Sequence, residues 1–198
     1  MDWLVELFHI AALAPIVVLL VARGWQQRVP PTAYTLIAVS LGVSWAADWY
    51  LKASQHLHPE TPNAWWVTLV YPVIQAAVIF WALNQARRTE QRRTVYLLLA
   101  ATAIVSAISA DAAGPEWWAQ AAASVVVVDA VSDRRDLGLL RIGLLVYFGL
   151  GLAWWIWWPM LFGTNAFIVV YLGYQASRLI GLGLAAAAMW RPYRPRLL

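Results

Sequence analysis

The chain has 198 residues, 62% of them hydrophobic and 12% charged, with 14 Lys and Arg against 10 Asp and Glu and a mean hydropathy of +0.62. Soluble domains run at roughly 45–50% apolar and about 25% charged, so the composition points to a membrane chain, and its length leaves room for one compact bundle without a separate soluble domain. The absence of cysteine excludes disulfides, thiolate metal sites and cysteine nucleophiles.

Seven apolar runs predict seven helices, at about 3–22, 31–51, 64–85, 94–111, 115–132, 138–159 and 164–190. Helices are the open-chain solution in lipid, where unpaired backbone groups find no partner. The expected fold is therefore all-α: a polytopic membrane protein made of one seven-helix transmembrane bundle. The first run opens on Asp2 and Glu6 where a secretory signal would carry Lys or Arg, so it is read as a retained span.

Taken in order, the runs carry distinct polar signatures. In the first, Asp2, Glu6 and His9 recur at i, i+4 and i+7 on one face of the outer third. Pro15 interrupts this run, and Pro72 interrupts the third. In the second, Ser40, Ser44, Asp48 and Lys52 step by four beside Trp45 and Trp49. In the fourth, Thr102, Ser106 and Ser109 share a face, with Asp111 at its outer end. The fifth opens on Trp117 and Trp118, is rich in small residues from Ala119 to Ala123, and carries Asp129 deep in the run. The sixth holds Gly149 with Ala153 and ends in Trp154-Trp155-Ile156-Trp157-Trp158. On the seventh, Tyr171, Tyr174 and Arg178 share a face next to Gln175, and Ser177 with Gly181 forms a small-xxx-small pair suited to close helix packing.

Charge fixes the orientation. Twelve of the fourteen basic residues, among them Arg87, Arg88, Arg134, Arg135, Arg141 and Arg191, fall in alternate connections. The positive-inside rule then puts the amino terminus outside and the carboxyl terminus in the cytoplasm, as expected for a multi-pass plasma-membrane protein, with a bacterial inner membrane as the working assignment. The basic pI of about 9.7 follows from topology and anionic lipid, so no nucleic-acid partner is expected. Eleven of the fourteen tryptophans sort toward the outer boundary and three, Trp25, Trp81 and Trp190, toward the inner one. Two readings fit this asymmetry: an anchor girdle on one leaflet, or rings that turn inward to line a pocket for a flat, apolar or cationic partner.

Two candidate sites follow. The first is an outward acidic and aromatic vestibule of Glu6, His9, Asp48 and Asp111 ringed by Trp45, Trp49 and Trp117, an arrangement expected to admit a cation or proton. The second is a buried ion pair or gate between Asp129 and Arg178, with Tyr174 beside it, because both charges sit roughly 18–20 Å from the outer edge at 1.5 Å per residue. His56, His58 and Glu60 lack the three or four arranged ligands of a zinc site, so no metal is assigned and no cofactor is identified.

Catalytic signatures such as G-x-S-x-G, H-E-x-x-H and phosphate-cradling glycine loops are absent from the sequence. The amino-out order of seven helices resembles rhodopsin-like and sugar-transporter topologies in helix count alone, and the seventh run has no lysine for a retinal Schiff base. The leading expectation is a small transporter, channel or ligand-binding protein. The alternatives are an accessory or assembly subunit whose tryptophans pack on partner helices, lipids or pigments, and an intramembrane lipid-modifying enzyme. The expected partners are the bilayer, a small ligand, and other membrane proteins or further copies of the chain.

Overall fold

The computed structural model describes residues 6–7, 10–26, 32–57, 65–84, 115–132, 134–154, 163–164 and 166–191. These residues are 94% helical and contain no strand. The helices are α1 (Ala14–Gln26), α2 (Thr32–Leu57), α3 (Trp65–Asn84), α4 (Pro115–Ser132), α5 (Leu139–Trp154) and α6 (Ala166–Trp190). The fourth apolar run, 94–111, lies outside the described residues, as do 155–159 at the end of the sixth.

Proline explains a departure at the amino-terminal end. The run 3–22 was expected as one helix, but the described part breaks in a turn at Ala12 and Leu13, where the Leu13 N–H donates to Ile10 O at 2.9 Å. Helix α1 then starts afresh with Pro15 at its second residue. A first-turn proline costs the helix no bond, because the early N–H groups have no intrahelical acceptor. Pro72 lies inside α3, where it removes a donor from the ladder. Within α5 the ladder widens instead: Leu139–Leu144 is α-helical, Leu145–Gly149 is a π-helical turn, and the α-helix resumes to Trp154.

The described helices close into a ring. Each packs on its chain neighbour, α1 on α2, α2 on α3, α3 on α4, α4 on the π turn of α5 and α5 on α6, and α6 returns to pack against α1. Ile37, Leu41, Ile79, Val127, Leu140, Leu144 and Leu182 lie fully buried at the helix contacts. Apolar side chains are exposed on every helix, with Val17 and Leu20 on α1, Val39 and Val43 on α2, Val70 and Ile74 on α3, Val125 on α4 beside the exposed Asp129, Ile142 and Leu150 on α5, and Ile168 and Ile180 on α6. Among the described residues, α6 is long and apolar enough to cross a membrane by length and composition, and 28% of its most apolar stretch is buried.

Two features hold the ring together. Helices α5 and α6 meet backbone to backbone: a Cβ added at Gly143 would stand 2.7 Å from Gly181 O, and one at Gly181 would stand 2.8 Å from both Gly143 O and Tyr147 Cβ. Glycine is required at both positions because any side chain would drive the helices apart. At the other feature, arginines cap carbonyls at helix ends. Arg134 donates to Leu83 O at the end of α3 and pairs with Asp136 at 2.9 Å, while Arg141 donates to Ser132 O at the end of α4 at 2.7 and 3.1 Å. Cations at helix C-termini satisfy orphan carbonyls and oppose the negative end of the helix dipole.

The crossing predicts opposite outcomes two residues apart. Gly181→Ala should destabilise the protein by about 1–3 kcal/mol, since the methyl group meets backbone that cannot yield. Gly183→Ala, where a Cβ meets nothing within 4 Å, should be neutral or stabilising by up to about 1 kcal/mol through helix propensity. Thermal unfolding of the two variants in the same detergent checks the contrast.

Candidate functional site

Inside the ring lies a small polar cavity of about 20 Å³, lined by Tyr71, Gln75, Gln120, Ser124, Tyr147, Phe148, Gly151, Tyr174 and Arg178. The lining has a simple register. Four helices each contribute a pair spaced i, i+4, which places both members on one face: Tyr71 and Gln75 from α3, Gln120 and Ser124 from α4, Tyr147 and Gly151 from α5, Tyr174 and Arg178 from α6. Regular α3, α4 and α6 reach this register unaided. On α5 the π turn carries Tyr147 and Phe148, adjacent residues that are both buried and both line the cavity.

Arg178 is the centre of the site. It is 8% exposed, and its Nη2 donates to the Tyr147 hydroxyl at 3.1 Å. Its guanidinium also lies over two rings, 5.4 Å from the centroid of Tyr147 and 5.6 Å from that of Tyr174. Both ring faces present partial negative charge to the cation. Behind Tyr174 stands Trp154, stacked on it at 5.1 Å and 7°, with Tyr171 and Phe167 around the same indole. The aromatic layer thus packs against Tyr174, whose ring lies near the guanidinium.

The opposite wall is made of amides and hydroxyls. Gln75 Nε2 donates to Ser40 O at 2.9 Å, tying α3 to α2, and Gln120 Nε2 donates to the Tyr71 hydroxyl at 2.7 Å, tying α4 to α3. Each amide nitrogen carries a second N–H beyond the one it gives. Ser124, 4% exposed, makes no hydrogen bond to another described residue, although it lines the cavity. Just outside the lining, Gln175 is 3% exposed and its Oε1 has no hydrogen-bond partner among the described residues. Leaving a buried acceptor unpaired costs about 1–3 kcal/mol.

The residues singled out from sequence distribute unevenly. Arg178 and Tyr174 are brought together, but Asp129 is not paired with Arg178: it lies exposed on α4, on the same side as Val125. Equal depth did not mean equal azimuth, for Asp129 comes five residues after the inward-facing Ser124, about 140° around the helix at 100° per residue. Of the vestibule set, Glu6 is exposed, Trp45 packs partly buried against the core and Trp49 is exposed. Asp48 and Trp117 sit on α2 and α4 with side chains outside the described set, and His9 and Asp111 lie outside the described residues altogether. The stripe at Ser40 and Ser44 turns back on its own helix: the hydroxyls donate to Ile37 O at 2.8 Å and Leu41 O at 2.6 Å. Trp154 is buried within the protein, so this member of the 154–158 cluster packs on Tyr174, a residue of the cavity lining, without lining the cavity itself.

Tyr71, Gln75, Gln120, Ser124 and Tyr147 escaped the sequence reading. Their signal was the i, i+4 pairing of single polar groups inside otherwise apolar runs, which weighs little beside charges until neighbouring helices show where the pairs converge. Comparison of the chain with family models, with curated proteins and with solved structures finds no match. The site therefore rests on its own geometry.

The two kinds of tryptophan should separate under mutation. Trp154→Ala, at a residue 3% exposed and stacked on Tyr174, should cost about 3–5 kcal/mol by opening a cavity behind the site. Trp25→Ala, at a residue 81% exposed, should change stability by no more than about 0.5 kcal/mol. Denaturant unfolding in matched detergent reads both values.

Proposed function

We propose that the chain is an integral membrane protein that crosses the bilayer seven times, amino terminus outside, and holds or passes a small polar solute at the cavity inside its helix ring. The observation that carries this reading is the inverted polarity of the described helices. Their outward faces are mostly apolar, Asp129 on α4 being an exception, with Val169 71% exposed and Ile180 57% exposed on α6, while Gln75, Ser124, Gln175, Ser177 and Arg178 are buried within. An exposed apolar surface on every helix suits hydrocarbon, and soluble monomers rarely carry contiguous apolar patches beyond a few hundred Å².

Function as a transporter, channel or binding protein fits better than a packing role. A scaffold gains nothing from a guanidinium in its centre, because a buried cation is costly in a membrane and is kept where it acts on a solute or ion. The converging pairs from four helices also enclose a small polar space, where a packed scaffold would place apolar side chains. The arginines at the ends of α3 and α4 agree with a cytoplasmic side at that end of the ring.

The absence of native cysteine makes the test direct. In lipid nanodiscs, Ser124→Cys should react with a small water-soluble thiosulfonate, whereas Val125→Cys on the lipid side should react at least about tenfold more slowly, its thiol being held protonated by apolar surroundings. Equal rates at the two positions would overturn the membrane-embedded ring. No reaction at Ser124→Cys in a monodisperse, folded sample would overturn the solute-accessible cavity.

A further inference from the structure

We infer that the cavity is a binding site for a single water molecule, with the Ser124 hydroxyl as its anchor on α4. The inference takes the same cavity as the reading above and names its occupant. It needs neither a bilayer nor a path to the outside, so the two can fail separately.

The serines supply the first observation. Ser40, Ser44, Ser132 and Ser177 each donate to a carbonyl of their own helix, at 2.8, 2.6, 2.6 and 2.7 Å, which is how a helical serine satisfies itself without an outside partner. Ser124 does not. It is 4% exposed, makes no hydrogen bond to another described residue, and lines the cavity. A buried hydroxyl left unpaired is costly, and a water in the cavity removes that cost.

Size and chemistry supply the second. The space is about 20 Å³, enough for one water, which needs about 10–15 Å³. Its wall is mixed in hydrogen-bonding character, as a ligand that both gives and takes requires. The Tyr147 hydroxyl accepts from Arg178 and the Tyr71 hydroxyl accepts from Gln120, so each phenol keeps its own O–H as a donor. Gln75 and Gln120 add amide carbonyls as acceptors, and Ser124 can act either way. A polar cavity offering a water about two to four partners holds it as part of the structure, whereas apolar cavities stay dry. Because the lining comes from α3, α4, α5 and α6, this water joins four helices at the centre of the ring.

Two phenylalanines allow an internal comparison. Phe148 is 4% exposed and lines the cavity, whereas Phe80 is 3% exposed and lies in the core away from it. X-ray radiolysis makes hydroxyl radicals where water is bound, so a buried ring beside a bound water is oxidised while an equally buried ring elsewhere is spared. In the purified wild-type protein, mass spectrometry should find Phe148 oxidised several-fold faster than Phe80. A radical scavenger in the bulk solvent should leave that excess in place. Ser124→Val, which fills the space with methyl groups and offers no hydrogen bond, should bring Phe148 down to the Phe80 rate. If that variant does not fold, a high-resolution map of the wild type should show a peak about 2.6–3.2 Å from Ser124 Oγ. Equal rates in the wild type would overturn the water site. An excess abolished by the scavenger would overturn a single enclosed water in favour of bulk solvent. An excess unchanged in Ser124→Val, or a map without that peak, would overturn Ser124 as the anchor. Failure of Ser124→Cys to react with the thiosulfonate, beside a persistent Phe148 excess, would overturn solute access while leaving the water site standing.

Discussion

The contact of α5 with α6 at Gly143 and Gly181 sets the geometry of everything inside the ring. With the two backbones touching, Tyr147 N and Cβ lie directly against Gly181, one turn along α6 from Arg178. The tyrosine ring is thereby anchored at its base by the crossing and reaches the guanidinium with its hydroxyl and its face. A larger residue at either glycine would separate Tyr147 from Arg178 and open the ring on the side where α6 also closes it against α1. The π turn belongs to the same arrangement. Its wider register lets Tyr147 and Phe148 face α4 and α6 together, and such turns are frequent at functional positions in helices.

That geometry lets the ring carry a cation in its interior. A guanidinium is more weakly hydrated than an ammonium and is planar, so it loses less on leaving water and can lie against ring faces while still donating at its edge. The structure uses both properties, with the Tyr147 and Tyr174 rings near the guanidinium and the Tyr147 oxygen accepting its hydrogen bond. Trp154 holds Tyr174 in place from behind. The tryptophan excess therefore has two physical origins. Exposed rings such as Trp25 and Trp49 lie on the outer surface, and buried Trp154 packs on Tyr174 behind the cavity lining.

Legibility varied with the kind of question. Helix type and extent were legible: the runs 115–132 and 164–190 correspond to Pro115–Ser132 and Ala166–Trp190. Tyr174 and Arg178 were recognisable as partners on one face because both lie on one regular helix, where spacing alone sets direction. The Asp129–Arg178 pair was not obtainable in the same way, since it asked which faces of two separate helices meet. Arg134 and Arg141 were legible as charges in a connection between apolar runs, but their service as caps on Leu83 O and Ser132 O depended on the neighbouring helix ends being within reach.

The sequence by itself determined composition, helical class and the positions of the apolar runs, because rise per residue and solvation act within one segment. Only the tertiary structure decided which polar residues share a cavity. Azimuth between helices is set by contacts between segments distant in the chain, here Gly143 on Gly181, and the π turn at Leu145–Gly149 breaks the regular count of about 100° per residue that would be needed to extrapolate along α5. Direction became definite when the ring closed.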